Sequence, residues 1–64
     1  MDSIDYLKQE IFINERLSVL GLEIYESNKE EEFLHNAVYF GSTADKFKKV
    51  LKEEYGVIYE CEFN

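Results

Sequence analysis

The sequence predicts an α+β fold of order α-β-β-α-β, a three-stranded sheet with both helices on one face, and three observations predict it. Two stretches of helical periodicity flank a region of alternating or two-faced apolar residues. Isolated glycines stand at positions 21, 41 and 56, where elements would stop. There is no proline, no Ser/Gly-rich linker and no internal repeat, so residues 1–64 read as a single domain.

The first helix is expected over residues 3 to 20. Asp2 or Ser3 caps it, and Asp5 lies in the first turn, where a carboxylate suits the positive helix end. Gly21 followed by Leu22 has the form of a Schellman stop. At 100° per residue, Ile4, Leu7, Ile11 and Phe12 share one face, while Tyr6, Ile13, Leu17 and Leu20 share another. A surface helix of a monomer carries one apolar stripe. Two stripes imply cover on both sides, the second cover coming from another chain, so Tyr6, Ile13, Leu17 and Leu20 are the expected homodimer interface.

Leu22 to Ser27 alternates apolar and polar residues and reads as a strand. The segment FLHNAVYF within Glu32 to Gly41 is apolar on both faces, as in a strand covered above and below. Polar residues from Ser27 to Glu31 make the tip of a hairpin between them. The second helix spans residues 43 to 55, with Ser42 and Asp45 at capping-box spacing and Ala44, Phe47, Val50, Leu51 and Tyr55 as its stripe. Gly56 and Val57 repeat the Schellman form, and Val57 to Phe63 makes the third strand. A right-handed crossover then gives strand order 2-1-3, with Glu23, Glu60 and Glu62 side by side on the open face of the sheet.

Sixty-four residues bury only about 60% of the surface of the unfolded chain, so stability rests on little core. Small domains usually add a disulfide, a metal or self-association. The lone Cys61 excludes an internal disulfide, and one Cys with one His cannot make a four-ligand zinc site. Self-association remains. Hydrophobic residues at 45% and aromatics at 16% support folding rather than disorder. Asp2 and Asp5 stand where a signal peptide needs basic residues, no apolar run spans a membrane, and the single thiol fits a reducing cytosol.

No catalytic constellation is evident. Cys61 and His35 fall on different strands, where Cys61 reads as a core hydrophobe and His35 as a packed sheet histidine. The glycines stand alone, so there is no phosphate loop, and Glu30-Glu31-Glu32 lacks calcium-loop spacing. Neither an enzyme activity nor a cofactor is expected.

Charge is the strongest functional signal. Fourteen acidic residues oppose seven basic ones, for a net charge of −7 and a pI near 4.5. Residues 1 to 41 carry −6, residues 42 to 55 carry +1 through Lys46, Lys48, Lys49 and Lys52, and residues 56 to 64 carry −2. Those lysines are expected to solubilise the outer face of the second helix. An acidic field of this kind repels nucleic acid and attracts basic proteins. A compact domain of this length has a diameter near ~28 Å, over which duplex DNA carries about 16 charges. A monomer falls well short of that and a dimer at twice −7 comes close.

With its size, acidity, lack of Pro and Trp, element order and the segments VLGLEIYES, NAVYFGSTADKFKKVLKEEYG and VIYECEF, the chain resembles the small host-takeover proteins of lytic Bacillus phages. Acidic DNA mimics that inhibit the nucleoid protein HU are among them. The resemblance implies a homodimer in the host bacterial cytoplasm, associated with the nucleoid, that occupies the DNA-binding arms of HU and displaces DNA. It carries over no individual residue. The expected partner-binding carboxylates, taken from the sheet face and the hairpin tip, are Glu23, Glu26, Glu30, Glu31, Glu32, Glu60 and Glu62. The alternative is an adaptor that docks through apolar surface on a host enzyme such as RNA polymerase or a protease chaperone.

Overall fold

Two interleaved patterns of three- and four-residue spacing organise the chain. Ile4, Leu7, Ile11, Asn14, Ser18, Gly21 and Tyr25 form one, and Phe33, Ala37, Phe40, Ala44, Phe47 and Leu51 form the other. Spacing of this kind keeps one narrow stripe of a helix facing a partner helix. The computed structural model, which describes residues 2–60, is accordingly a helical hairpin. Its helix α1 runs from Ser3 to Asn28 and α2 from Glu31 to Tyr55. The α+β expectation is overturned: the described residues contain no strand and no sheet.

Each misread element has a physical cause. Leu22 to Ser27 continues α1, because an alternation of six residues fits a helical face as well as a strand. Glu32 to Gly41 opens α2. Its two-faced apolar pattern resolves at helical period into Phe33, Leu34, Ala37 and Phe40, which are half-buried or buried, against the exposed Val38 and Tyr39. Gly21 is no helix stop. It is buried within α1, where an added Cβ would lie 3.1 Å from the Phe33 carbonyl oxygen and 3.2 Å from the Ala37 Cβ. Glycine lets the two backbones approach closely here, which a left-handed C′ position would not have required. Ser42 lies inside α2 and caps nothing, and the hydroxyl of its neighbour Thr43 donates to the Tyr39 carbonyl at 3.0 Å. Residues 56–60 are irregular, and the rest of the expected third strand lies outside the described residues.

The outer ends of the two helices fall where the sequence places them, at Asp2 and Gly56, and the inner ends do not. The Asp2 side chain accepts the Ile4 N–H at 3.4 Å and caps α1. Gly56 closes α2 in the left-handed region, φ 67°, with its N–H on the Lys52 carbonyl at 3.0 Å. The tight turn falls within the polar segment expected for it, Ser27 to Glu31. Lys29 takes φ 60° and donates its N–H to the Tyr25 carbonyl at 2.7 Å, while the Asn28 side chain accepts the Glu30 N–H at 3.0 Å.

The seam changes character along its length. Toward the open end, away from the turn, Leu7, Ile11, Ala44 and Leu51 form the buried cluster, with Ile4, Phe47 and Val50 packed against it. The chain after Gly56 folds back so that Val57 and Tyr59 join this cluster. Burying one large aliphatic side chain contributes about 1.5–3 kcal/mol, and among the described residues Ile11 and Leu51 are fully buried and Leu7 nearly so. Toward the turn the seam is small and polar. Asn14 Nδ2 donates to the Glu10 carbonyl at 2.7 Å, and Ser18 Oγ donates across the seam to the Ala37 carbonyl at 2.8 Å. The result is a rod of 39 × 21 × 18 Å whose radius of gyration is 13.0 Å, against about 10.7 Å for a compact chain of this length. No helix among the described residues is long and apolar enough to cross a membrane.

Gly21→Val tests the close approach. Valine is the better helix former, so any loss must come from overpacking against Phe33 and Ala37. A loss of about 1–3 kcal/mol in urea unfolding is expected.

Candidate interaction surface

Carboxylates concentrate at the turn. Glu23 and Glu26 lie near the end of α1, Glu30 stands at the N-cap position of α2 without a side-chain capping bond, and Glu31 and Glu32 lie in its first turn. All five are exposed. Glu31 and Glu32 are placed by helix physics, since the positive end of α2 favours negative side chains. Glu23 and Glu26 sit at the negative end of α1, where no basic residue occupies the last turn, so local electrostatics does not account for them. Among the described residues the five form no ion pair; the pairs recorded there belong to Lys48.

The expected ladder of Glu23, Glu60 and Glu62 does not exist as drawn, because there is no sheet to hold it. Glu60 lines a hollow with Lys8 and Tyr59 at the open end. Lys8 and Glu23 are fifteen residues apart on α1, about 22 Å at helical rise. Glu62 lies outside the described residues. The acidic set therefore divides into a cluster of five at the turn and a remote Glu60.

The second apolar stripe of α1 is uncovered. Tyr6, Ile13, Leu17 and Leu20 are 50%, 45%, 37% and 50% exposed, whereas Leu7 and Ile11 of the first stripe are buried. The hairpin thus uses one stripe for its own seam and leaves the other to solvent. Phe12, which the sequence groups with the buried stripe, is 40% exposed and lines a hollow with Asp5, Lys8, Gln9 and Tyr59.

Lys48 departs from its expected role on a solvated outer face. Its Nζ reaches Glu15 Oε2 across the seam at 3.3 Å and lies 4.0 Å from Asp45 Oδ1. It also sits 5.9 Å from the centre of the Tyr59 ring. Lys46, Lys49 and Lys52 are exposed as expected. Reading α2 from residue 43 hid the register that brings Lys48 to Glu15. Extending the three-four spacing back to Phe33 would have revealed it.

His35 is exposed on α2 rather than packed in a sheet, and Cys61 lies outside the described residues. The surface hollows described have volumes of about 150 to 240 Å³, below the usual ~300–1,000 Å³ of small-ligand sites. No group of three or more His, Cys, Asp or Glu among the described residues is arranged to hold a metal ion.

Comparison with known proteins brings no relative: no family model, no curated protein and no solved structure matches the chain.

The Glu15–Lys48 pair is the cross-hairpin ion pair to test. Lys48→Met should lower stability by up to about 1 kcal/mol, the range for a partly exposed pair. Adding Glu15→Gln should recover most of that loss, and a double-mutant cycle in urea measures the coupling.

Proposed function

We propose that this chain is an acidic, non-enzymatic binding protein whose carboxylate-rich turn engages a basic DNA-binding protein of the HU kind and competes with DNA for it. The observation that carries this reading is the gathering of Glu23, Glu26, Glu30, Glu31 and Glu32, exposed and without ion pairs among the described residues, at one end of a rod. Lysine and arginine side chains recognise carboxylates through charge-assisted hydrogen bonds, as they recognise phosphates.

The rod shape narrows how such competition works. Duplex DNA as long as the 39 Å rod carries about 23 charges, far above the net −7 of one chain. Matching the total charge of DNA along the whole rod is therefore not the basis of the proposal. A local anionic tip is.

A second reading, docking on a host enzyme through apolar surface, is favoured by the exposure of Tyr6, Ile13, Leu17 and Leu20. The resemblance to phage host-takeover proteins is compatible with both readings. It now rests on size, acidity and composition, since the element order that contributed to it is not the order of this fold.

Binding to purified HU, followed by fluorescence anisotropy with labelled DNA as competitor, tests the leading reading. Affinity should fall at least tenfold between about 50 and 300 mM salt. Replacing the five turn glutamates by Gln should abolish competition, while Glu53→Gln with Glu54→Gln at the other end leaves it nearly intact. Equal losses from the two sets would sink the idea of an acidic tip.

A further inference from the structure

The uncovered stripe of α1 has a regular geometry of its own. The exposed Tyr6, Ile13, Leu17 and Leu20 and the half-buried Ile24 follow one another at intervals of seven, four, three and four residues. On a helical wheel this line lies roughly 105° from the line that faces α2, taking 100° per residue. A helix in a four-helix bundle meets its two neighbours on faces about a quarter turn apart. α1 therefore carries two neighbour-facing stripes, and the hairpin supplies one neighbour.

The other features of the hairpin leave this side free. Glu15, which bridges to Lys48, and Lys8, which lies beside the folded-back Tyr59, both point about 165° away from the stripe on the same wheel. Neither the cross-hairpin ion pair nor the described part of the tail covers Tyr6, Ile13, Leu17 or Leu20. On α2, Phe40, Phe47 and Val50 are only half-buried.

We propose that this stripe is the seam with a second copy of this chain, the two hairpins packing antiparallel along α1 into a four-helix bundle. The inference does not depend on which basic protein the turn engages. Two quantities point to a copy as the occupant. The broad face of the rod, 39 by 21 Å, has a footprint of about 800 Å², the size of one side of a standard protein interface. The chain exposes 4907 Å², about 600 Å² more than a compact monomer of 7.6 kDa is expected to expose. Net charge is nearly even between the half nearest the turn, residues 16–45, with six acids and two bases, and the other half, with eight acids and five bases. The orientation is selected instead by the crowding of Glu23, Glu26, Glu30, Glu31 and Glu32 at the turn.

Parallel packing would set two such acidic turns side by side. Antiparallel packing separates them by nearly the rod length of 39 Å, several times the ~8 Å Debye length at physiological salt. A two-fold axis crossing the stripe at the level of residue 15 pairs Ile13 with Leu17 of the second copy and Tyr6 with Ile24, a self-complementary contact that sets Leu20 opposite Glu10.

Sedimentation equilibrium of the full chain tests this, with far-UV circular dichroism on every sample. At about 100 μM and physiological salt the parent should sediment at twice 7.6 kDa, and its thermal midpoint should rise with protein concentration. Leu17→Glu should weaken association at least about a hundredfold, because it buries an unpaired charge in the proposed seam. Val38→Glu, at a 61% exposed site on α2, should leave the dimer intact. If Leu17→Glu unfolds the chain, the concentration dependence of the parent's midpoint still decides the matter. A parent that is monomeric with a concentration-independent midpoint overturns the proposal, as does a dimer insensitive to Leu17→Glu. Orientation is read from Lys29→Cys in a Cys61→Ser background. Efficient turn-to-turn disulfide formation within the dimer would refute antiparallel packing, and its absence supports it.

Discussion

The close passage of α1 over α2 beside the turn is the constraint on which the rest of the structure depends. Gly21 brings the α1 backbone against Phe33 and Ala37, leaving barely room for a methyl group. That contact fixes the register of the two helices. Once it is fixed, Ser18 reaches the Ala37 carbonyl, Glu15 reaches Lys48, and Ile11 and Leu7 meet Ala44 and Leu51. The tight turn around Lys29 brings the helices together but does not by itself choose which faces meet. Small residues near the turn and large ones at the open end do that, and the returning tail fills the wider end with Val57 and Tyr59.

The same constraint leaves the monomer poorly covered. A two-helix hairpin has one seam, so each helix shelters only a narrow stripe, and the buried apolar set is limited to Leu7, Ile11, Ala37, Ala44 and Leu51. Two of these are alanines, which contribute little area. Small domains with so little interior usually draw on further support. The first stripe of α1 makes the fold, and its second stripe, Tyr6, Ile13, Leu17 and Leu20, is among the apolar residues the hairpin leaves exposed.

Much of this was legible in the residues, and what was not has a specific cause. The cap at Asp2 or Ser3, the two stripes of α1, the polar turn around Asn28 and Lys29, the apolar line Ala44, Phe47, Val50 and Leu51 and the stop at Gly56 all follow from local rules of helix chemistry, whereas Tyr55, expected on that line, is 43% exposed. Gly21 misled because glycine ends helices far more often than it marks a crossing point, and its role depends on Phe33 and Ala37, twelve and sixteen residues away. FLHNAVYF misled because Val, Tyr and Phe favour strands locally, while their helical placement is set by α1 across the seam. The acidic cluster was legible only in part. Glu30, Glu31 and Glu32 are adjacent in sequence, but their company with Glu23 and Glu26, and their distance from Glu60, are consequences of the hairpin.

Five glutamates gather at the turn, although the two halves of the molecule differ little in net charge. That gathering follows from folding the chain back at Lys29, which brings Glu23 and Glu26 of α1 near Glu30, Glu31 and Glu32 at the start of α2. The whole account rests on the helical crossing that creates it, and nuclear magnetic resonance observes that crossing directly. The account predicts helical secondary shifts without interruption through residues 20–27 and 32–42, together with a cross-peak between the Gly21 Hα protons and the Ala37 methyl group. Extended-strand shifts over Leu22 to Ser27 or Phe33 to Phe40, with Hα–Hα cross-peaks between those segments and none from Gly21 to Ala37, would contradict it.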